Sequence, residues 1–280
     1  MENIYSIMNV ILPFEWLEMS FMKNALLAVI VACPLFGILG TSVVSNKMSF
    51  FSDAIGHSAL TGIAIGVLIG IREPVISMIL FALILGFIII TVKVKGKSSA
   101  DTVIGVFSST SVALGIVLLS AGGNFSKYQK YLIGDILSIK PYEILMLLGA
   151  FLVLALIWIF FYNKMLITNL HSTYARSRRI KTFLIEQIFA LLTALIVSVS
   201  IRWTGLLVIN SLLVLPAAAS RMISRSSRQY TGFSILISLV SGIAGLIISY
   251  YAGAASGATI VLVNALIFAL CFLVSILKRK

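Results

Sequence analysis

Asp53 and His57 stand four residues apart in the segment FFSDAIGHSALTGIAIG. On a helix that spacing brings a carboxylate and an imidazole to one point on one face. A mixed oxygen and nitrogen pair of this kind suits Mn²⁺, Fe²⁺ or Zn²⁺. The same spacing also fits a helix cap, in which Asp53 closes the start of the helix and His57 hydrogen-bonds to it one turn on. Two ligands do not complete a site of about four to six, and no third His, Cys or carboxylate lies nearby in the sequence. A second copy of the pair, from a symmetric partner, would supply the rest.

Other residues with chemical potential have simpler readings. Glu186, the other acid that remains, stands in the first turn of its span, where it complements the helix N-terminus and is placed to pair with Lys181 or Arg179. The remaining acids lie at or beyond span ends, or, for Asp135, in a connection. Gly96-Lys97-Ser98 is reminiscent of the end of a phosphate-binding loop, but position 91 is threonine where that motif needs glycine. No HExxH occurs, and Ser58, directly after His57, points about 100° away on a helix, so no nucleophile and base are paired. His171 sits in a basic loop, and Cys33 and Cys271 sit in apolar runs as small hydrophobes. Gly56 and the series Gly62, Gly66, Gly70 mark close helix packing.

The elements that must position the Asp53–His57 pair are membrane helices. The chain is 60% hydrophobic and only 11% charged over 280 residues, with a mean hydropathy of +1.11; a soluble domain carries about 25% charged residues. About 20 apolar residues span the hydrocarbon layer. Runs occur at approximately 24–44, 54–70, 74–92, 103–120, 141–161, 183–201, 204–220, 231–252 and 256–277, which predicts nine spans and leaves no room for a sizeable soluble domain. Residues 1–23 read as an external lead-in and 24–280 as a single transmembrane domain. The short run 204–220 contains Pro216; if it is re-entrant rather than crossing, the count is eight. The connection 121–140 alternates polar and apolar residues after Gly122-Gly123, which predicts a short helix at the outer surface.

The net charge of +12 is read as topology rather than nucleic-acid binding, because Lys and Arg collect in cytoplasmic loops. With nine spans and the C-terminus inside, the cytoplasmic side holds Lys47; Lys93, Lys95 and Lys97; Lys164, Arg176, Arg178, Arg179 and Lys181; Arg221, Arg225 and Arg228; and Lys278, Arg279 and Lys280. The other side holds Lys23, Arg72, Lys127, Lys130, Lys140 and Arg202. A split of fifteen to six puts the N-terminus outside and the C-terminus in the cytoplasm.

Five segments resemble, in order and spacing, the membrane permease subunit of the ABC importers for manganese, zinc and iron. They are SDAIGHSALTGIAIGVLIG at 52–70, DTVIGVFSSTSVALGIVLLS at 101–120, YLIGDIL at 131–137, GLLVINSLLVLPAAASR at 205–221 and SGATIVLVNALIF at 256–268. The resemblance implies an all-α polytopic permease with a type II-like importer fold. It further implies a homodimeric pore in the cell membrane, two cytoplasmic ATPase subunits beneath it and an extracellular metal-binding protein above. The permease would then be no enzyme and would hold no permanent cofactor, the metal being its cargo. Asp53 and His57 fall on the family's D-x-x-x-H signature. The loop 168–182 lies where the family has its ATPase-coupling segment, with Tyr174, Ala175 and Arg176 on its A-R core. His171, Ser172 and Arg178 replace the acidic residues and the glycine common there, and Ala258 stands where proline is usual.

An alternative class, a secondary metal transporter driven by an ion gradient, would be expected to bury more carboxylates than this chain has. An intramembrane hydrolase lacks its nucleophile and base. The Asp/His pair by itself does not choose among the three metals.

Overall fold

Within a bilayer the backbone must satisfy its own hydrogen bonds inside one segment, so each apolar run becomes a helix. A computed structural model describes Tyr5, Met8 and residues 14–71, 73–96, 98–121, 134–170, 175 and 177–278. Among these residues the chain forms nine α-helices and no strand: α1 (Ser20–Ser45), α2 (Phe51–Ile69), α3 (Pro74–Lys95), α4 (Ala100–Ala121), α5 (Pro141–Leu170), α6 (Thr182–Thr204), α7 (Leu206–Ile223), α8 (Ser227–Ala252) and α9 (Ser256–Leu277). Eight are long and apolar enough to cross a membrane, and α7 is the shorter one. The protein is a multi-pass, all-α membrane protein.

Four helices start well before the apolar runs that announce them. α1, α2, α4 and α8 each begin three or four residues upstream of the predicted spans, because polar first turns such as Ala100-Asp101-Thr102 and Ser227-Arg228-Gln229 belong to the helix but not to its hydrophobic stretch. α5 runs nine residues past the predicted end at 161, to Leu170, so Lys164 and the first residues of the predicted coupling loop are helical. FYNKMLITNL contains no Gly or Pro to stop it. Of the predicted outer-surface helix, residues 122–133 lie outside the described residues. What is described is a 3₁₀ turn, Ile136–Ser138, closed by a 3.0 Å bond from the Leu137 amide to the Asp135 carboxylate.

The chain divides into two compact units. One comprises residues 1–41, 133–151 and 203–280. Here α8 packs through small residues: a methyl group at Gly245 would stand 2.6 Å from the Ile260 Cα, and one at Gly242 2.6 Å from the Cys33 sulfur. Ser234 donates to the Gly37 carbonyl at 2.9 Å and Ser249 to Ser256 at 3.0 Å. Trp16 and Leu17 of the lead-in are buried.

The other unit comprises residues 42–132 and 152–202, with α2 at its centre, packed on α3 and α4. A methyl group at Gly62 would approach the Met78 Cα to 2.8 Å, and Gly66 faces Ser77, so the glycine series read from the sequence seats α2 on α3. Gly115 of α4 lies against Thr61, whose hydroxyl donates to the Ser111 carbonyl. Gly70, with φ +82°, ends α2, and the Ile71 amide returns to the Gly66 carbonyl at 2.8 Å.

A candidate metal site on the open strip of helix α2

The first helical residue of α2 is Phe51, its N-cap is Phe50, and no side chain closes that end. Asp53 is therefore not the cap: it stands third in the helix, one turn below His57. Its carboxylate oxygen lies 3.5 Å from Nε2 of His57. That separation is longer than a good hydrogen bond. It matches the distance, about 3.4 Å, between two ligands each about 2.1 Å from one tetrahedrally coordinated ion.

The burial of α2 isolates the pair. From residue 51 to residue 64 every side chain is buried except Asp53 and His57, which remain 37% and 31% exposed. Packing on α3 and α4 thus leaves one accessible strip, and its only occupants over nearly four turns are the two side chains able to hold a cation. Among the described residues no group of three or more His, Cys, Asp and Glu comes together, so the pair has no third such residue beside it there. Asp53 and His57 are thus the side chains that the packing of α2 leaves uncovered over residues 51–64.

A family model, the ABC 3 transport family, matches residues 18–275. The chain belongs to the ABC 3 transport family. It is a transport permease and not itself an enzyme. Among its relatives, the high-affinity zinc uptake system membrane protein ZnuB of Haemophilus influenzae is 32% identical over 258 residues, covering 91% of this chain and 97% of that one. The manganese import system permease protein ScaB of Streptococcus gordonii is 28% identical, covering 94% and 96%. The solved structure of PsaBC from Streptococcus pneumoniae in complex with Fab superposes with a TM-score of 0.79 at 26% identity, over 97% of this chain and 95% of the other. The fold expected from the sequence motifs is thus the fold observed.

The other residues singled out from the sequence fare differently. Tyr174 and Arg176 lie outside the described residues. Ala175 is fully buried within its own chain, and its carbonyl accepts from the Ile180 amide at 3.0 Å; the exposed positions beside it are Ser177, Arg178, Arg179 and Lys181. Glu186 lies in the second turn of α6, and its partner is neither neighbour expected from the sequence but Lys93, 93 residues away, at 3.0 Å. In the sequence Lys93 reads only as a topological charge. Nothing local distinguishes it from Lys95 or Lys97, because the signal is a long-range contact.

Proposed function

We propose that this chain is the membrane-spanning permease subunit of an ATP-binding-cassette importer that carries manganese, zinc or iron across the cytoplasmic membrane. The observation that carries the reading is the placement of Asp53 and His57 alone on the open strip of α2, in a chain whose relatives are named for zinc and manganese uptake. Two copies of the chain would bring two such pairs to one pathway, giving four protein ligands of which each copy supplies half. Sparse coordination suits passage: the ion must leave an external carrier and then leave again, whereas a closed four-ligand cage would hold it.

In this reading ATP is hydrolysed on separate cytoplasmic subunits, and an extracellular metal-binding protein delivers the ion. The N-terminus is external and the C-terminus cytoplasmic, as the distribution of Lys and Arg favours. The loop 168–182 would meet the ATPase through its exposed cations, Arg178, Arg179 and Lys181, rather than through Ala175. Tyr174 and Arg176 belong to the same segment. Metal content of cells with and without the gene, measured for manganese, zinc and iron by mass spectrometry, tests the reading. Gene-dependent accumulation of at least one of them is expected. Identical content for all three would overturn it.

A further inference from the structure

Lys93 lies in the last turn of α3 and Glu186 in the second turn of α6, both within the unit that contains α2. Their ammonium and carboxylate meet at 3.0 Å and are only 18% and 22% exposed. One residue on, the Gln187 side chain is buried, and its amide nitrogen donates to the Phe87 carbonyl at 3.1 Å and to the Thr91 hydroxyl at 3.0 Å. Three polar contacts thus bind the start of α6 to the last turns of α3, so that the two segments are held as one body.

Lys93 also reaches a third element. Its nitrogen lies 3.4 Å from the sulfur of Met48, a fully buried residue in the turn between α1 and α2. The Met48 carbonyl accepts from the Phe51 amide at 2.9 Å, at the first residue of α2. Asp53 follows two residues later. A single ammonium therefore touches α6, which emerges directly from the loop 168–182, and the turn from which the metal pair's helix starts.

We infer that Lys93 is a positioning residue that links displacement of the start of α6 to the start of α2, and so couples the loop 168–182 to the Asp53–His57 pair. The inference rests on the proposed ATP-driven reading. Separating α6 from α3 would strip a mostly shielded ammonium and carboxylate of their partners, which is strongly unfavourable. A push on α6 therefore moves α3 with it and is felt at Met48.

The test uses the complete transporter, permease with its ATPase and metal-binding protein, reconstituted in vesicles, with ATP hydrolysis and manganese or zinc uptake measured on the same preparation. Lys93→Met and Glu186→Gln are expected to keep hydrolysis while lowering metal moved per ATP by about tenfold, within the range that coupling residues command. Lys93→Arg is expected to keep the wild-type ratio, whereas the reversed pair Lys93→Glu with Glu186→Lys, which restores the ion pair but leaves no ammonium beside Met48, is expected to keep hydrolysis with a low ratio. A merely structural role would lower hydrolysis and uptake together and leave their ratio unchanged, which overturns the inference. If the single variants fail to assemble, the reversed pair decides: hydrolysis with a low ratio supports the link through Met48, and a wild-type ratio overturns it. Absence of ATP-dependent uptake by the wild-type vesicles would instead strike the functional reading on which the link rests.

Discussion

Helices α8 and α2 both bury a stripe of small and hydroxyl residues, yet only α2 leaves a carboxylate and an imidazole uncovered beside it. On α8 the stripe is Ser234, Ser238, Ser241, Gly242, Gly245 and Ser249, all buried, and its sole ionisable residues near a membrane end are Arg228 and the tyrosines. On α2 the comparable set is Gly56, Ser58, Thr61, Gly62 and Gly66, but the one strip that packing leaves open holds Asp53 and His57. Small residues that bring backbones together are a packing device wherever they occur. What sets α2 apart is the uncovered carboxylate and imidazole, where α8 contains no Asp, Glu or His.

The sharpest way to break that contrast is to remove the polar groups from each helix in turn. Asp53→Ala and His57→Ala are expected to abolish metal uptake at normal membrane levels, because each removes a ligand that replaces hydration from a site with few to lose. Ser238→Ala and Ser241→Ala on α8 are expected to leave uptake close to wild type. Normal transport by either α2 variant would show that the open strip is not the pathway.

A smaller effect separates tight glycines from idle ones. Gly62→Ala and Gly245→Ala would each push a methyl group against backbone, at 2.8 Å from the Met78 Cα and 2.6 Å from the Ile260 Cα. Helices forced apart in this way lose roughly 1–3 kcal/mol. A methyl group at Gly105 meets nothing within 4 Å, so Gly105→Ala is expected to match the wild type or exceed it through helix propensity. Thermal unfolding in detergent compares the three, and equal melting temperatures would deny that the glycines set the helix spacing.

The sequence was most informative where the physics is local. Apolar runs located the nine described helices, since helix formation in a bilayer is dictated by length and hydrophobicity; what they missed were polar first turns and ends, three residues at the ends of α3, α6 and α7 and nine at that of α5. The i, i+4 spacing places Asp53 and His57 on one face, but the spacing alone leaves both a cap and a ligand pair open. Deciding against the cap required the observed start of α2 at Phe51, which depends on how α1 turns into it. The partnership of Lys93 with Glu186 had no local signature at all, because the two are joined only by the packing of α3 on α6.

The least effect is expected at that turn into α2. α1 ends in two reciprocal backbone bonds: the Met48 amide returns to the Val43 carbonyl at 3.0 Å and the Lys47 amide to the Val44 carbonyl at 3.2 Å, the pattern that closes a helix around a left-handed residue. The end of α2 is built in the same way, but there the left-handed residue is Gly70, at φ +82°. At the end of α1 it is Lys47, at φ +55°. A side chain in this conformation costs about 1 kcal/mol through the clash of Cβ with the backbone. Lys47→Gly relieves that strain, while glycine's greater freedom in the unfolded chain offsets part of the gain. The expected result is a stabilisation of a few tenths of a kcal/mol up to about 1 kcal/mol, with uptake unchanged because Met48 keeps its place beside Lys93. A lower melting temperature for Lys47→Gly would mean that the lysine side chain itself holds the turn, and would move the origin of the α2 geometry from backbone conformation to a side-chain contact.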